Sequence, residues 1–368
     1  MELLNFIKQH KDWEDLIQRH PFNIKVTKSD GYTLLKYNQV ASDFNEPIVR
    51  ECRGIILDST CNVVCYPFNK FFNYCEPHAD EIDWPTARVQ EKIDGSIMKL
   101  WYHNGWHLST NGTINAYTAP LNGGSNMSGI RTFGDLFDNA VNRSDLIVER
   151  LNRDYTYMFE LVSPLKRIVI PYAETKIYHI GTRNNKTFEE VNMDIGVQKP
   201  KEFPIHNISD AVLYSMEKMG DDEEGFVVVD ANWHRVKIKN PTYLMLHRTV
   251  NNNIVSDGYI LELLLANEQD EFLSYFTQYQ ERFDNIQQRL TNYINSIKLN
   301  WEKIKPFEDL DRPAFAKKVS EIDRQNSWVY FRWYENKKFA DEDIMDYIMT
   351  YIRNKPIKNL LKIVEEGE

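Results

Sequence analysis

The sequence predicts an α+β protein: antiparallel sheets with flanking helices over residues 1–247, then an all-α C-terminal domain over residues 248–368. Two observations carry this. Between residues 24 and 239 short runs of strand type recur, separated by turn signals such as Asp30-Gly31 and Asn104-Gly105. Beyond Leu244 the period changes. Phe272, Phe276, Tyr279, Phe283, Ile286, Leu290, Tyr293 and Ile297 return at steps of four and three, the mark of one long helix with a single apolar seam.

Composition sets the outer limits. With 368 residues there is room for one large or two ordinary domains with real cores, and 42% hydrophobic and 13% aromatic residues indicate a folded globular chain. A net charge of -10 argues against binding nucleic acid by bulk attraction, so any such contact must be local. Cys52, Cys61, Cys65 and Cys75 lack paired Cys-x-x-Cys spacing, which favours reduced thiols of a cytosolic protein over a zinc site. Residues 1–20 read as an amphipathic helix, neither a signal peptide nor a membrane span.

In chain order, 24–27 and 32–37 flank Ser29-Asp30-Gly31 as a hairpin, and 53–58 pairs with 63–67. Lys70-Phe71-Phe72-Asn73 follows; its lysine either sets a charge beside a stacking surface or snorkels over buried rings. Strands at 87–90 and 97–102 bracket Glu91-Lys92-Ile93-Asp94-Gly95-Ser96, with Asp94-Gly95 as a turn. Asn104-Gly105 closes the next hairpin, so His103 and His107 do not share a helix face despite their i, i+4 spacing. Residues 116–127 read as loop and 131–153 as helix, followed by strands at 157–162, 168–170 and 176–181. A loop and helix over 192–219 lead to strands at 223–229 and 235–239. Pro306 ends the long helix, and shorter helices are predicted at 314–322, 342–352 and 357–365.

The chemistry centres on Lys92. A lysine at a strand end before a turn projects from a rigid element, which suits attack on phosphorus as a covalent nucleophile. An amine of ordinary pKa ~10.4 must first lose its proton, helped by desolvation or neighbouring cations. Lys237 and Lys239 share one face of a strand, a poor core but a good phosphate clamp, the alternative being a solvent face. Glu160 interrupts an apolar run, where a carboxylate needs a partner or a cation.

Taken in order, Lys92-Ile93-Asp94-Gly95-Ser96, Phe159-Glu160, residues 176–181, Glu224-Gly225-Phe226-Val227 and Lys237-Ile238-Lys239 resemble the motif series of covalent nucleotidyltransferases, the superfamily of ATP-dependent ligases and capping enzymes. The chain is most similar to the bacteriophage RNA ligase 1 family, through Glu51-Cys52-Arg53-Gly54-Ile55, Lys70-Phe71-Phe72-Asn73, Phe159-Glu160-Leu161-Val162, Arg167-Ile168-Val169, Tyr243 and Leu246-His247. The resemblance spans roughly residues 50 to 247. A helical tail, rather than the β-rich OB domain of DNA ligases and capping enzymes, agrees with it.

The resemblance implies a ligase-type nucleotidyltransferase fold and an ATP-dependent RNA ligase, with Lys92 as the AMP-lysine nucleophile and Asp94 and Gly95 beside it. Lys237 and Lys239 would act on the phosphates, Arg53 and Lys70 would contact phosphate, and Tyr178 and Tyr243 would support the nucleotide. Glu224 would hold the metal and Glu160 the ribose or metal. It further implies ATP with Mg²⁺, or Mn²⁺ in its place, a single-stranded or nicked-loop RNA such as tRNA, and repair of that RNA by a monomer without a membrane, in the cytoplasm or a host's cytoplasm. There is one departure: Asn111 stands where the family has a lysine, so a cation contact is lost or supplied elsewhere. The rival reading is a catalytically inactive RNA-binding protein of the same fold, which would have no need of a lysine cluster around a carboxylate.

Overall fold

Asp30 and Gly31 both adopt positive φ (54° and 80°), the stereochemistry of a two-residue hairpin turn, and they close β1 (Ile24–Ser29) on β2 (Tyr32–Tyr37). The computed structural model describes residues 1–368 apart from 39–40, 122–128, 167–169, 221–222, 241–254, 267–268, 270–271, 274–275, 337–343 and 367–368. β3 (Arg53–Leu57) and β4 (Val63–Cys65) extend the hairpin into a four-stranded antiparallel sheet. Under it lie two helices, α1 (Glu2–Gln9) and α2 (Trp13–Ile17), in place of the single helix expected to residue 20. The apolar phase slips between Ile7 and Trp13, six residues apart where two helical turns need about seven. The chain breaks at His10 (φ -123°, ψ 115°), and Leu3, Trp13 and Ile17 are all buried in this sheet's core. Glu51, at the end of α3 (Pro47–Glu51), accepts the otherwise orphaned N–H groups of Glu2 and Leu3, each at 2.9 Å.

Two five-stranded sheets follow. One has the order β11-β10-β9-β7-β8, from β7 (Ser96–Tyr102), β8 (Trp106–Thr110), β9 (Tyr155–Val162), β10 (Lys176–Asn184) and β11 (Glu190–Val191). The other runs β12-β6-β13-β14-β5, from β5 (Phe72–Asn73), β6 (Arg88–Glu91), β12 (Glu202–Phe203), β13 (Gly225–Val229) and β14 (Arg235–Lys239), with β14 and β5 parallel. β6 and β7 therefore belong to different sheets. The stretch expected to be a turn at Asp94-Gly95 is a crossover instead, because β6 pairs with β13 and β7 with β9. Gly95 passes so close to β9 that a Cβ would stand 2.6 Å from the Leu161 carbonyl oxygen.

Helices cover the outer faces. α4 (Phe133–Val141) starts at a Thr132/Asp135 capping box and packs Leu136 and Phe137 with Met98, Phe159 and Leu161. It stops well short of the expected residue 153, because Asn142, Arg143, Ser144 and Asp145 offer no apolar face to continue. α5 (Ile208–Glu217) packs Ala211 with Val89, Phe226, Val236 and Ile238. In the region expected as a strand at 168–170, only Ile170 is among the described residues, and it lies in no strand. His103 and His107 meet across their hairpin around Tyr32, whose hydroxyl lies 2.9 and 3.4 Å from their ring nitrogens. Among the described residues the four cysteines form no disulfide with one another, and no trio of metal-ligating side chains occurs.

The chain divides into two units, Met1–Asn252 and Asn253–Glu368; the expected boundary at 247/248 lies outside the described residues. The second unit contains α6 (Asp257–Ala266), α7 (Gln280–Ile304), α8 (Arg312–Asp323), α9 (Ser327–Asn336), α10 (Ile344–Asn354) and α11 (Ile357–Glu366). The long helix begins at Gln280 rather than near Phe272, since Phe276 leaves helical geometry (φ -127°, ψ 58°). Phe272 is still buried, its ring 5.5 Å from that of Phe283, so an aromatic cluster carries the seam across the break. None of the described helices is long and apolar enough to cross a membrane.

The two five-stranded sheets are joined by a buried ion triad. Arg235 of β14 donates to Glu190 of β11 at 2.9 and 2.6 Å, Arg183 of β10 donates to the same carboxylate, and the Arg235 guanidinium lies 4.3 Å from the Phe68 ring centre. Removing one member of such a group leaves charges buried without compensation. Glu190→Ala is expected to lower unfolding stability by ~3–5 kcal/mol in urea denaturation; a loss below ~1 kcal/mol would show that the triad does not hold the sheets together.

Candidate active site

A pocket of ≈ 410 Å³ in the first unit gathers side chains from both five-stranded sheets and from β3. Its centre is Lys92, on the crossover between β6 and β7. The Lys92 backbone N–H donates to the Gly225 carbonyl at 2.8 Å, and its Nζ lies 2.6 Å from Glu224 Oε1. Main chain and side chain are thus both held by the Glu224-Gly225 dipeptide that opens β13. Gly225 needs its glycine: φ is 140°, and a Cβ would fall 2.2 Å from the Ile238 carbonyl oxygen. Glu224 is 7% exposed, and its Oε2 is buried with no hydrogen-bond partner among the described residues.

Cations stand along the rest of the wall, beside Glu91 and the rings of Phe68 and Phe71. On β14 the alternation buries Val236 and Ile238 and turns Lys237 and Lys239 to the pocket. Arg235 continues the same face and also lines the pocket, held by Glu190. Arg53 enters from β3, its guanidinium 5.4 Å from the Phe71 ring centre, with Nη1 buried and without a hydrogen-bond partner among the described residues. An unpaired buried donor is costly unless a ligand takes it, and a guanidinium suits phosphate oxygen. Glu160 of β9 faces this cluster. Burial, followed by the charges of Glu224 and Asp94, pushes its carboxyl up to about 7 against the pull of Lys92 and Arg53.

Several residues expected at the site stand elsewhere. Asp94 is buried off the pocket wall, where its carboxylate accepts the Ile170 N–H at 2.7 Å and its own N–H donates to the Tyr172 hydroxyl. It braces the crossover that carries Lys92, which departs from the catalytic role expected of it. Lys70 is also off the pocket wall, its ammonium 5.0 to 5.8 Å from the ring centres of Phe72, Phe44 and Tyr37. Tyr178 sits opposite Glu160 on β10 but does not line the pocket. Tyr243, Leu246, His247 and the Arg167-Ile168-Val169 stretch lie outside the described residues. Gly95 lines the pocket.

Sequence reasoning missed Phe68 and Arg235; Phe71, read as part of a possible stacking surface, does line the pocket. Arg235 was detectable, since Arg235, Lys237 and Lys239 share one strand face. Lys99 was not: it is 0% exposed on β7, and its Nζ donates to the Gly54 carbonyl. Burial lowers it to about 8. A Cβ built on Gly54 would lie 2.8 Å from Asn111 Oδ1 and 3.0 Å from Lys99 Nζ. A buried ammonium therefore stands beside Asn111, delivered by the neighbouring strand and hydrogen-bonded to Gly54, the residue next in the chain to Arg53.

Residues 51–243 match a family model described as RNA ligase. A putative bifunctional polynucleotide kinase/RNA ligase of Autographa californica nuclear polyhedrosis virus is 30% identical over 287 residues, which cover 72% of this chain and 40% of that relative. An RNA ligase of Rhodothermus phage RM378 is 26% identical over 355 residues, 76% of this chain and 80% of its own length. Among solved structures, an archaeal ATP-dependent RNA ligase aligns over 97% of this chain and 80% of its own, with 12% identity and a TM-score of 0.42.

The raised Glu160 carboxyl sets a sign for stability. Between its ordinary value of 4.5 and about 7 the folded chain binds the proton that the unfolded chain has lost, so this group's contribution to stability falls as pH rises through that window. In metal-free buffer, Glu160→Gln is expected to gain on the wild type between pH 5 and pH 8 in urea unfolding, at up to ~1.4 kcal/mol per pH unit. A wild-type to variant gap equal at both pH values would show that the carboxyl is not held neutral.

Proposed function

Because the chain belongs to the RNA ligase family, we propose that its lysine pocket drives ATP-dependent joining of RNA 5′-phosphate and 3′-hydroxyl ends. One observation carries the reading: an amine on a rigid crossover, paired at 2.6 Å with Glu224, faces a pocket walled by Arg53, Lys237 and Lys239. A pocket of that composition suits a polyphosphate with its α-phosphorus next to Lys92.

In the first step Lys92 Nζ, having shed its proton, attacks the α-phosphorus of ATP. The N–P bond forms, the bond to the bridging oxygen breaks, and pyrophosphate leaves. Glu224, the carboxylate in contact with Nζ, is the group that receives or shares the proton. An RNA 5′-phosphate oxygen then attacks the same phosphorus and frees the lysine, giving RNA-adenylate. Finally a 3′-hydroxyl attacks the RNA 5′-phosphorus, and AMP departs. All three are in-line displacements, so fixed positive charge around the phosphates should supply most of the acceleration.

The residues also fit a hard divalent cation, Mg²⁺ or Mn²⁺: Glu224 has a buried oxygen to spare, Glu160 lies in the same pocket, and phosphate and water would complete the oxygen shell. When bound there, the ion would neutralise phosphate charge and weaken the hold of Glu224 on Lys92. An inactive RNA-binding scaffold accounts less well for these features, because that role gives no reason to gather Arg53, Lys92, Lys237 and Lys239 around the partly unsatisfied carboxylate of Glu224.

The helical unit is assigned to selecting the RNA, a single-stranded or nicked-loop substrate such as tRNA, since the residues given chemical roles precede it. The chain would act as a monomer in the cytoplasm, or in a host's cytoplasm if viral.

Lys92→Ala is expected to abolish covalent labelling by α-³²P-ATP while retaining sealing of pre-adenylated RNA; undiminished labelling would refute the assignment. Lys237→Ala and Lys239→Ala should each slow labelling by on the order of 10²-fold or more, the scale of losing one contact to developing charge, and wild-type rates in both would return them to a solvent-face role. A chain ended near Arg248 whose circular dichroism shows a folded state is expected to label with ATP and lose discrimination among RNAs. Failure of that folded chain to label would mean that the helices complete the nucleotide site.

A further inference from the structure

A second and larger cleft, ≈ 1210 Å³, opens in the same unit. Its walls come from α1, the turn between β3 and β4, the tip of the β7–β8 hairpin and the turn between β10 and β11. Lys8, Lys11, Arg153 and Lys186 line it together with His10 and His103. That is a local excess of positive charge in a chain whose net charge is -10.

The two acids on the wall offset it only in part, two carboxylates against four cations. Asp58 spends its carboxylate on its own turn, accepting from the backbone and side chains of Thr60 and Asn62. Asp154 is paired with Lys186 at 2.8 Å. Lys8, Lys11 and Arg153 are exposed and have no ion-pair partner among the described residues. Two of them are positioned rather than loose. Lys8 sits in the last turn of α1, where the carbonyl end of the helix favours a cation. The Arg153 guanidinium lies 4.6 Å from the ring centre of Tyr102, itself on the cleft wall.

The cleft is connected to the chemistry by one strand. β7 starts beside the Lys92 pocket, which Gly95 and Ile97 line, and ends at Tyr102 on the cleft. Six strand steps of ~3.3 Å give roughly 20 Å.

We propose that this cleft binds the phosphodiester backbone of the RNA substrate several nucleotides from the end being joined, through Lys8, Lys11 and Arg153. The proposal rests on the RNA-ligase reading above, and it places an RNA contact in the nucleotide-binding unit in addition to the helical one. It also supplies the local attraction that an acidic chain needs, since affinity for a polyanion comes largely from counterions released at the contacts.

The test uses the full-length protein and a fluorescent 5′-phosphorylated single-stranded RNA of about 20 nucleotides, titrated by anisotropy across a salt series without ATP or metal. For single strands each phosphate contact contributes ~0.7 to the slope of log K against log salt. The double variant Lys8→Gln/Lys11→Gln is expected to lose about 1.4 from that slope and tenfold or more in affinity at low salt. Its labelling by ATP should equal the wild type, because neither lysine lines the Lys92 pocket. Lys25→Gln, an exposed lysine of the same unit off the cleft, should leave the slope unchanged. An unaltered slope in the double variant overturns the proposal, as does an equal loss in Lys25→Gln, which would make the effect one of net charge. Competition by polyglutamate as strong as by RNA would assign the cleft to acidic proteins and also overturn it. Wild-type protein that binds RNA but never labels with ATP would instead count against the ligase reading, leaving the cleft to be judged by its slope.

Discussion

The double attachment of Lys92 to Glu224-Gly225 is the constraint from which the rest of the site follows. The backbone N–H of Lys92 ends the pairing of β6 with β13, and its ammonium returns to the residue just before that strand. The chain must then leave its sheet at once and enter another. Gly95 permits this by running close against β9, and Asp94 pins the crossover from the far side through Ile170 and Tyr172. An amine anchored in this way has little freedom to stray, and the proposed displacement would draw on that precision.

The pocket also concentrates opposite charges. Arg53, Lys92, Arg235, Lys237 and Lys239 stand around three carboxylates, Glu91, Glu160 and Glu224, and part of this charge is braced from behind. Glu190 holds Arg235, with Arg183 completing the triad on the other sheet. Lys99, wholly buried, holds the Gly54 carbonyl next to Arg53. The orphaned oxygen of Glu224 and the orphaned nitrogen of Arg53 are the two places where that compensation is incomplete. They identify the side on which ligands are to be received.

Charge distribution reconciles an acidic protein with the polyanionic substrate proposed for it. The negative excess does not extend to the Lys92 pocket or to the cleft beside α1, where cations outnumber acids. Short-range contacts would then carry the proposed binding, since exposed charges farther away are screened within about 8 Å at physiological salt.

What the sequence determined by itself is local. The period of two put Lys237 and Lys239 on one face, the positive-φ turns at Asp30-Gly31 and Asn104-Gly105 closed their hairpins, and the four-three rhythm after Gln280 made one long helix. The same local logic overran where phase slipped or caps intervened: the first helix broke at His10, the helix from Phe133 stopped at Val141, and Phe276 interrupted the seam. Only the tertiary structure decided that β6 and β7 join different sheets, that Arg53, Phe71 and Arg235 meet at Lys92, that Asp94 and Lys70 turn elsewhere, and that Lys99 stands beside Asn111. Those outcomes depend on strand pairings between residues far apart in the chain, and side-chain periodicity records only which face a residue takes, not which strand will lie against it.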